Sequence, residues 1–307
     1  MIVNESSLAA ITRGFRAIFN DTLQKTPDRI DDIATRIPST TTSQDFPLAA
    51  LTGTLREWLG DRVIQNLAAW THNVVNKDFE QTVGIKRKVI EDDQIGLYNA
   101  QFQTLAQQAK LHPFKEAIRV MMTAGFSGGT GAYELWDDAN FFSAAHYWPG
   151  AYETAQDNLT DELLDAAAVI AGRVAMMGFR GPDGEPLDVV PTHFLCAPAN
   201  WSTAKNMFCL PTATDSAAAN PLYGMIKEEN IIVDARISAA KWALLDCSKP
   251  VKPIVNQRRK EPELVAQTAP DSDGAFLKGE YRYGVDYRGA VVALGWWMAY
   301  GSSGDGS

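Results

Sequence analysis

Nothing in this sequence offers the roughly 20 consecutive apolar residues that a membrane helix requires, so no bilayer span is expected. Paired cysteines are missing too. The three present, Cys196, Cys209 and Cys247, share no CxxC spacing and sit in apolar surroundings, so they read as buried, reduced thiols. Positive charge is scarce, with 28 Lys and Arg against 37 Asp and Glu and a net charge of −9. A protein that grips DNA tightly usually shows a basic surplus, so nucleic acid is contacted only weakly. At the N-terminus, acidic Glu5 stands where a secretory signal would carry positive charge, and no long apolar core follows. Cytosolic synthesis is expected.

The signatures of catalysis are equally thin. The four histidines, His72, His112, His146 and His193, fall into no HxxxH or HxxE pairing. A GxSxG nucleophile elbow is absent. Ser127-Gly128-Gly129-Thr130-Gly131 lacks the Lys-Ser/Thr ending of a phosphate loop and follows no strand, so it reads as a flexible turn. Asp137, Asp138 and His146 offer carboxylate and imidazole to a divalent ion, but their spacing fits no helical face and favours a structural hydrogen bond. Cys247 and His193 make a thiol–imidazole pair only if the fold joins them. Asp92 and Asp93 precede a helix, where the positive end of its dipole accounts for them. No cofactor, metal or catalytic residue is assigned.

What the sequence does contain is a composition of 46% hydrophobic and 21% charged residues over 307 positions, enough for one large core or two modest ones. Residues 1–26 carry a helical stripe of Leu8, Ile11, Phe15, Ile18 and Phe19, with Ser6 or Ser7 as N-cap. Thr26 to Pro47, with three prolines and a Ser/Thr cluster, reads as an extended arm, either a disordered leader or a segment ordered on a neighbouring subunit. Leu55, Trp58, Leu59, Val63, Ile64 and Leu67 then precede a polar strand. In it Phe79, Gln81, Val83 and Ile85 alternate with Glu80, Thr82 and Lys86. Such a two-stranded excursion is marginal alone in water. It ends in a basic triplet, Lys86-Arg87-Lys88, that is either solvated or set against an acidic rim elsewhere.

Gly96 to Leu111 reads as the first clear helix, about 22 Å long at 1.5 Å per residue, with Pro113 opening a second one that Gly125 stops. Asn158 or Thr160 caps a helix ending at Gly178, and VVPTHFLCAP is a buried strand. Asn200 opens a short helix, and strands follow at 231–233 and 242–245. Tyr281, Tyr283, Val285 and Tyr287 alternate with charged residues, AVVALGWWMAY is apolar on both faces and reads as a central strand, and GSSGDGS reads as a frayed tail.

Several stretches, in this order, carry a resemblance. They are Phe79 to Ile85, Glu91 to Tyr98, Asn140-Phe141-Phe142 with His146, Pro191-Thr192-His193, Asn220-Pro221-Leu222, Leu244 to Ser248, Gln257-Arg258-Arg259, Pro262-Glu263-Leu264 and Tyr283 to Asp286. Together they resemble the major head subunits of Mu-like phages and prophages, across nearly the whole chain. The resemblance implies an α+β, Hong Kong 97-like capsid fold with an N-terminal arm (1–47), an extended β-hairpin loop (48–95), a peripheral domain with a spine helix (96–126), an axial domain (127–250), return strands of the peripheral domain (251–300) and a flexible tail (301–307).

It also implies a structural protein rather than an enzyme, found in the virion and assembled in the host cytoplasm. Its copies form hexamers and pentamers that close into an icosahedral shell around double-stranded DNA. A separate scaffolding protein, a maturation protease, a portal and a decoration protein are the implied partners. The arm and the hairpin are expected to bury themselves on sister subunits. Phe79, Lys86, Arg87, Lys88, Arg258, Arg259 and Lys260 are the expected assembly contacts. An encapsulin-like nanocompartment shell shares the fold and is the alternative from the same class; a metal-dependent hydrolase around Asp138 and His146 is the alternative from another.

Overall fold

The computed structural model describes residues 5–48, 70–92, 95–126, 135–212, 218–269 and 272–305. The apolar positions between Leu55 and Leu67 and the Ser127–Gly131 turn lie outside them. Two sheets organise the chain. The first is four-stranded, in the order β1-β9-β10-β4, where β1 is Ala34–Pro38, β4 Lys77–Lys86, β9 Ile254–Gln267 and β10 Glu280–Ala293. The second is five-stranded, in the order β5-β11-β8-β6-β7, from Leu159–Thr160, Ala299–Ser302, Trp242–Leu245, His193–Cys196 and Ile231–Val233.

In the first sheet β4 pairs antiparallel with β10 along its whole length, from Lys77 opposite Gly289 to Lys86 opposite Glu280. The alternation read from sequence is therefore real, and Ile85 is buried. Its partner is a strand from the far end of the same chain, so 77–86 is the sheet edge and not half of an isolated hairpin. On β9, Pro262 has no N–H to give, and the register with β10 slips between Lys260 and Glu263. A proline inside a paired strand is tolerated at such a bulge.

The leading segment also belongs to its own body. Helix α1 (Glu5–Lys25) contains Ser6 and Ser7 rather than being capped by them. Its stripe of Leu8, Ile11, Phe15 and Phe19 is buried against α4 (Asn99–Ile118) and β10. Phe15 stacks on Phe102 at 4.0 Å between ring centroids and meets Tyr283 edge-on at 5.3 Å. The supposed arm continues as α2 (Ile30–Ile33), with both isoleucines buried, and as β1, which runs parallel to β9. Neither a leader nor a neighbour is needed to order it.

Pro113 lies inside α4 instead of starting a second helix. A proline there forfeits one backbone hydrogen bond, but Pro113, Ala117 and Ile118 are all buried and packing holds the helix together across it. Beyond Ile118 the same helix widens into a π-helical turn, Arg119–Ala124, that buries Val120, Met121 and Met122.

The second sheet forms around β8, whose Trp242, Ala243, Leu244 and Leu245 have no exposed surface on either face. Helix α5 (Ala166–Gly178) lies over β8 and β11. Its cap is Asp165, whose carboxylate accepts from the Ala168 N–H at 2.7 Å. Asn158 cannot serve, because its amide is fully buried and donates to the Phe141 and Trp296 carbonyls. Helix α6 (Trp201–Cys209) lies over β6 and β7, with Phe208 against Phe194. The expected central strand of AVVALGWWMAY is split: β10 ends at Ala293, a turn at Trp296–Met298 redirects the chain, and β11 enters the second sheet. The start of the supposed tail is consequently a strand, with Gly301 and Ser302 buried.

Candidate assembly surface

The expected contact residues occupy two separate places. Gly289 of β10 is opposite both Lys77 and Arg258, whereas Lys86 sits nine residues further along β4, about 30 Å away at 3.3 Å per residue. Lys86, Arg87 and Lys88 are exposed where β4 runs into α3 (Arg87–Glu91), and Arg87 pairs with Glu91 at 2.9 Å. The second cluster is largely neutralised within the chain. Arg258 is only 9% exposed and pairs with Glu261 at 2.8 Å, while Lys260 lies 3.5 Å from both Glu263 and Asp286. Arg259 remains exposed beside the Ser39 carbonyl. Phe79 faces its own helix: it stacks with Tyr287 at 5.7 Å and meets His112 at 4.2 Å, at the wall of a cavity of about 270 Å³ lined also by Leu105, Ala109 and Val285.

A feature that sequence reasoning missed adjoins the second of these places. Strands β2 (Ser43–Pro47) and β3 (Thr71–Val75) form a separate antiparallel ribbon. Its root is a buried amide network. Asn76 donates from its backbone N–H to the Thr42 carbonyl at 3.0 Å and from its side chain to Ser39 Oγ at 3.0 Å and the Thr41 carbonyl at 2.9 Å. In return, its amide oxygen accepts from Gln257 of β9 at 2.8 Å. No local pattern signals this network, because its members lie 37 and 181 positions apart. Replacing Asn76 by Ala leaves the buried Gln257 amide with only the Val74 carbonyl at 3.4 Å, at a cost of about 1–3 kcal/mol; chemical denaturation measures it, with faster proteolysis of the ribbon as the local sign.

The other end of the ribbon is held by aromatics. The Trp70 indole N–H donates to the Pro149 carbonyl at 3.2 Å, and its ring meets Trp148 at 5.4 Å and Trp136 at 6.2 Å. Trp148 in turn meets Trp297 at 5.2 Å and donates its N–H to the Arg180 carbonyl. The cluster includes His146, whose ring lies flat on Trp296 at 4.4 Å.

This placement decides between the readings of Asp137, Asp138 and His146. His146 Nδ1 and Asp137 Oδ2 are 2.7 Å apart, and both side chains are wholly buried. Asp138 sits in a turn at φ 59°, its N–H bonded to the Leu135 carbonyl. The pair is a structural hydrogen bond within the aromatic cluster, and no group of three metal-ligating side chains occurs among the described residues. Nor is Cys247 activated: burial pushes its thiol well above the ordinary range, and His193 Nδ1 is engaged with Thr192 Oγ1 at 2.9 Å. Burial likewise raises the Cys196 thiol to about 12.

The sequence profile described as "Mu-like prophage major head subunit gpT" matches residues 8–162, 156–235 and 227–305. The chain belongs to this family of phage head subunits. It is 28% identical over 305 residues to the major capsid protein of Escherichia phage Mu, covering 99% of this chain and 76% of that one. A Haemophilus influenzae protein, the Mu-like prophage FluMu major head subunit, is 27% identical over 302 residues, covering 98% and 75%. Among solved structures, the procapsid of bacteriophage JBD30 matches with a TM-score of 0.60 at 28% identity, over 98% of this chain and 76% of that one. The mixed α+β architecture is that of Hong Kong 97-like phage major capsid proteins. This head subunit is a structural component of the virion, and no helix among its described residues is long and apolar enough to cross a membrane.

Proposed function

We propose that many copies of this chain form hexamers and pentamers that close into an icosahedral shell around a double-stranded DNA genome. The match to Mu-like head subunits across residues 8–305 carries this reading, and it favours a genome shell over a nanocompartment with enzyme cargo. Assembly takes place in the host cytoplasm with a separate scaffolding protein and a maturation protease, and a portal and a decoration protein complete the particle. Residues 96–126 and 251–300 form the peripheral domain, 127–250 the axial domain, and the extended loop of 48–95 reaches a neighbour.

Closed symmetric shells need heterologous contacts that bend without breaking. A ribbon anchored by an amide network at one end and tryptophans at the other gives a contact of that kind a firm base. The exposed Lys86–Lys88 cluster sets register and encounter rate against acidic neighbouring surfaces, which is the main contribution of rim charges. A net charge of −9 keeps the lining from holding packaged DNA.

Co-expression with the scaffolding protein, followed by negative-stain microscopy, tests the proposal: closed particles are expected, and their absence defeats it. Reversing the charge of Lys86, Arg87 and Lys88 together is expected to leave the melting temperature of the subunit within a few degrees while abolishing particles. Normal particles from that variant remove these residues from the interface.

A further inference from the structure

Helix α5 has too little polarity for the half of it that its own sheet leaves uncovered. Its sequence, AAAVIAGRVAMMG, contains one charged residue, Arg173. A helix that is apolar all round is a buried helix. Here the inner side is indeed closely packed. Val169 and Met176 are buried, and Gly172 lies so near Tyr300 that a Cβ there would sit 2.6 Å from its ring. The outer side is open: Ile170 and Met177 are exposed, and Val174 is 65% exposed. These three follow one another at helical spacing with no acidic residue among them, in a chain that carries 37. Copies with a net charge of −9 repel one another, and an uncharged stripe is where close approach costs least.

The same layer carries a counterpart. Tyr300, Leu244 and Phe194 stand in register across one face of the second sheet, Tyr300 beneath α5 and Phe194 beneath α6. The two helices thus flank each other on that face, α5 toward the β11 edge and α6 toward the β7 edge. On the α6 flank Trp201, Leu210 and Tyr223 are exposed, Tyr223 by 57%. Leu210 and Tyr223 are drawn together by Asn220, whose side chain donates to the Leu210 carbonyl and whose own carbonyl accepts from the Tyr223 N–H. Two apolar patches on opposite flanks of one layer cannot cover each other within a subunit, but they can between subunits.

We propose that the outer face of α5 is covered by a second copy of this chain, through that copy's Trp201, Leu210 and Tyr223. The contact is heterologous, so every subunit gives one patch and receives the other, and repetition closes a ring. The stripe from Ile170 to Met177 spans only about 10 Å at 1.5 Å per residue. A stripe three side chains long covers only a small part of the roughly 1,200–2,000 Å² that a stable two-body interface buries, so isolated subunits stay apart until other contacts align them. The inference rests on the reading of the chain as a shell subunit.

The test uses the full chain co-expressed with its scaffolding protein. Val174→Glu and Tyr223→Glu are each expected to leave the purified subunit with unchanged circular dichroism and melting temperature, yet to lower particle yield at least tenfold. A Val174→Cys variant in a Cys209→Ser background is expected to react with maleimide as a subunit and to be protected in particles. Normal particles from either glutamate variant, or full labelling of Cys-substituted particles, overturns the proposal while leaving the shell reading intact. Failure of the wild-type chain to form any particle overturns both.

Discussion

A chain lacking residues 1–25 is expected not to fold. The deletion strips Leu8, Ile11, Phe15 and Phe19 from a cluster that also contains Phe102, Leu105, Tyr281 and Tyr283. At about 1.5–3 kcal/mol for each large apolar side chain buried, the loss is about 6–12 kcal/mol. A whole domain is typically stable by only about 5–15 kcal/mol. The truncated protein should therefore appear in the insoluble fraction, or without a cooperative melt, before assembly is ever at issue. Soluble, cooperatively melting protein that fails only in making particles would restore α1 to the role of an arm laid on a neighbour. Phe15→Ala is the milder form of the experiment, with an expected cost of about 3–5 kcal/mol.

Trp148→Ala is expected to be the most damaging single substitution outside that cluster, again by about 3–5 kcal/mol. The side chain is fully buried, and it meets Trp136, Trp70 at the end of the ribbon away from Asn76, and Trp296 and Trp297 at the crossing between sheets. Its N–H also satisfies the Arg180 carbonyl, which the substitution leaves without that donor. Thermal denaturation should show a lower transition, with tryptophan emission shifted to the red as water reaches the remaining indoles. A change of less than 1 kcal/mol would mean that the cluster can collapse over the gap, and that the ribbon is held by the Asn76 network alone.

Local pattern made some of this architecture readable and hid the rest for definite reasons. Ile231–Val233 and Trp242–Leu245 are strands where their apolar runs placed them, and the tyrosines of β10 are buried as their alternation required. Pairing partners were not readable. Nothing in 77–86 says that its neighbour lies some 200 residues later in the chain, so an edge strand looked like an isolated finger. Thr26 to Pro47 looked extended because, apart from the helical turn at Ile30–Ile33, its ordered pieces are strands, but their order comes from β9 and β3, which proline and serine counts do not reveal. Pro113 misled because burial of the helix around it outweighs one lost hydrogen bond. The basic clusters were visible from composition. The carboxylates that neutralise them were visible only in the folded strands: Glu261 and Glu263 lie three residues along β9 from Arg258 and Lys260, and Asp286 reaches Lys260 across from β10.

The crossing from β10 to β11 has a mechanical consequence. Leu294 to Met298, which link the two sheets, are all buried, and the backbone of Leu294 is tied to the Pro253 carbonyl. There is no slack in that link. Tension pulling the two sheets apart must first drag tryptophan side chains into water before the polypeptide can lengthen. A wall made of such units would resist outward pressure as a stiff plate and yield abruptly rather than stretch.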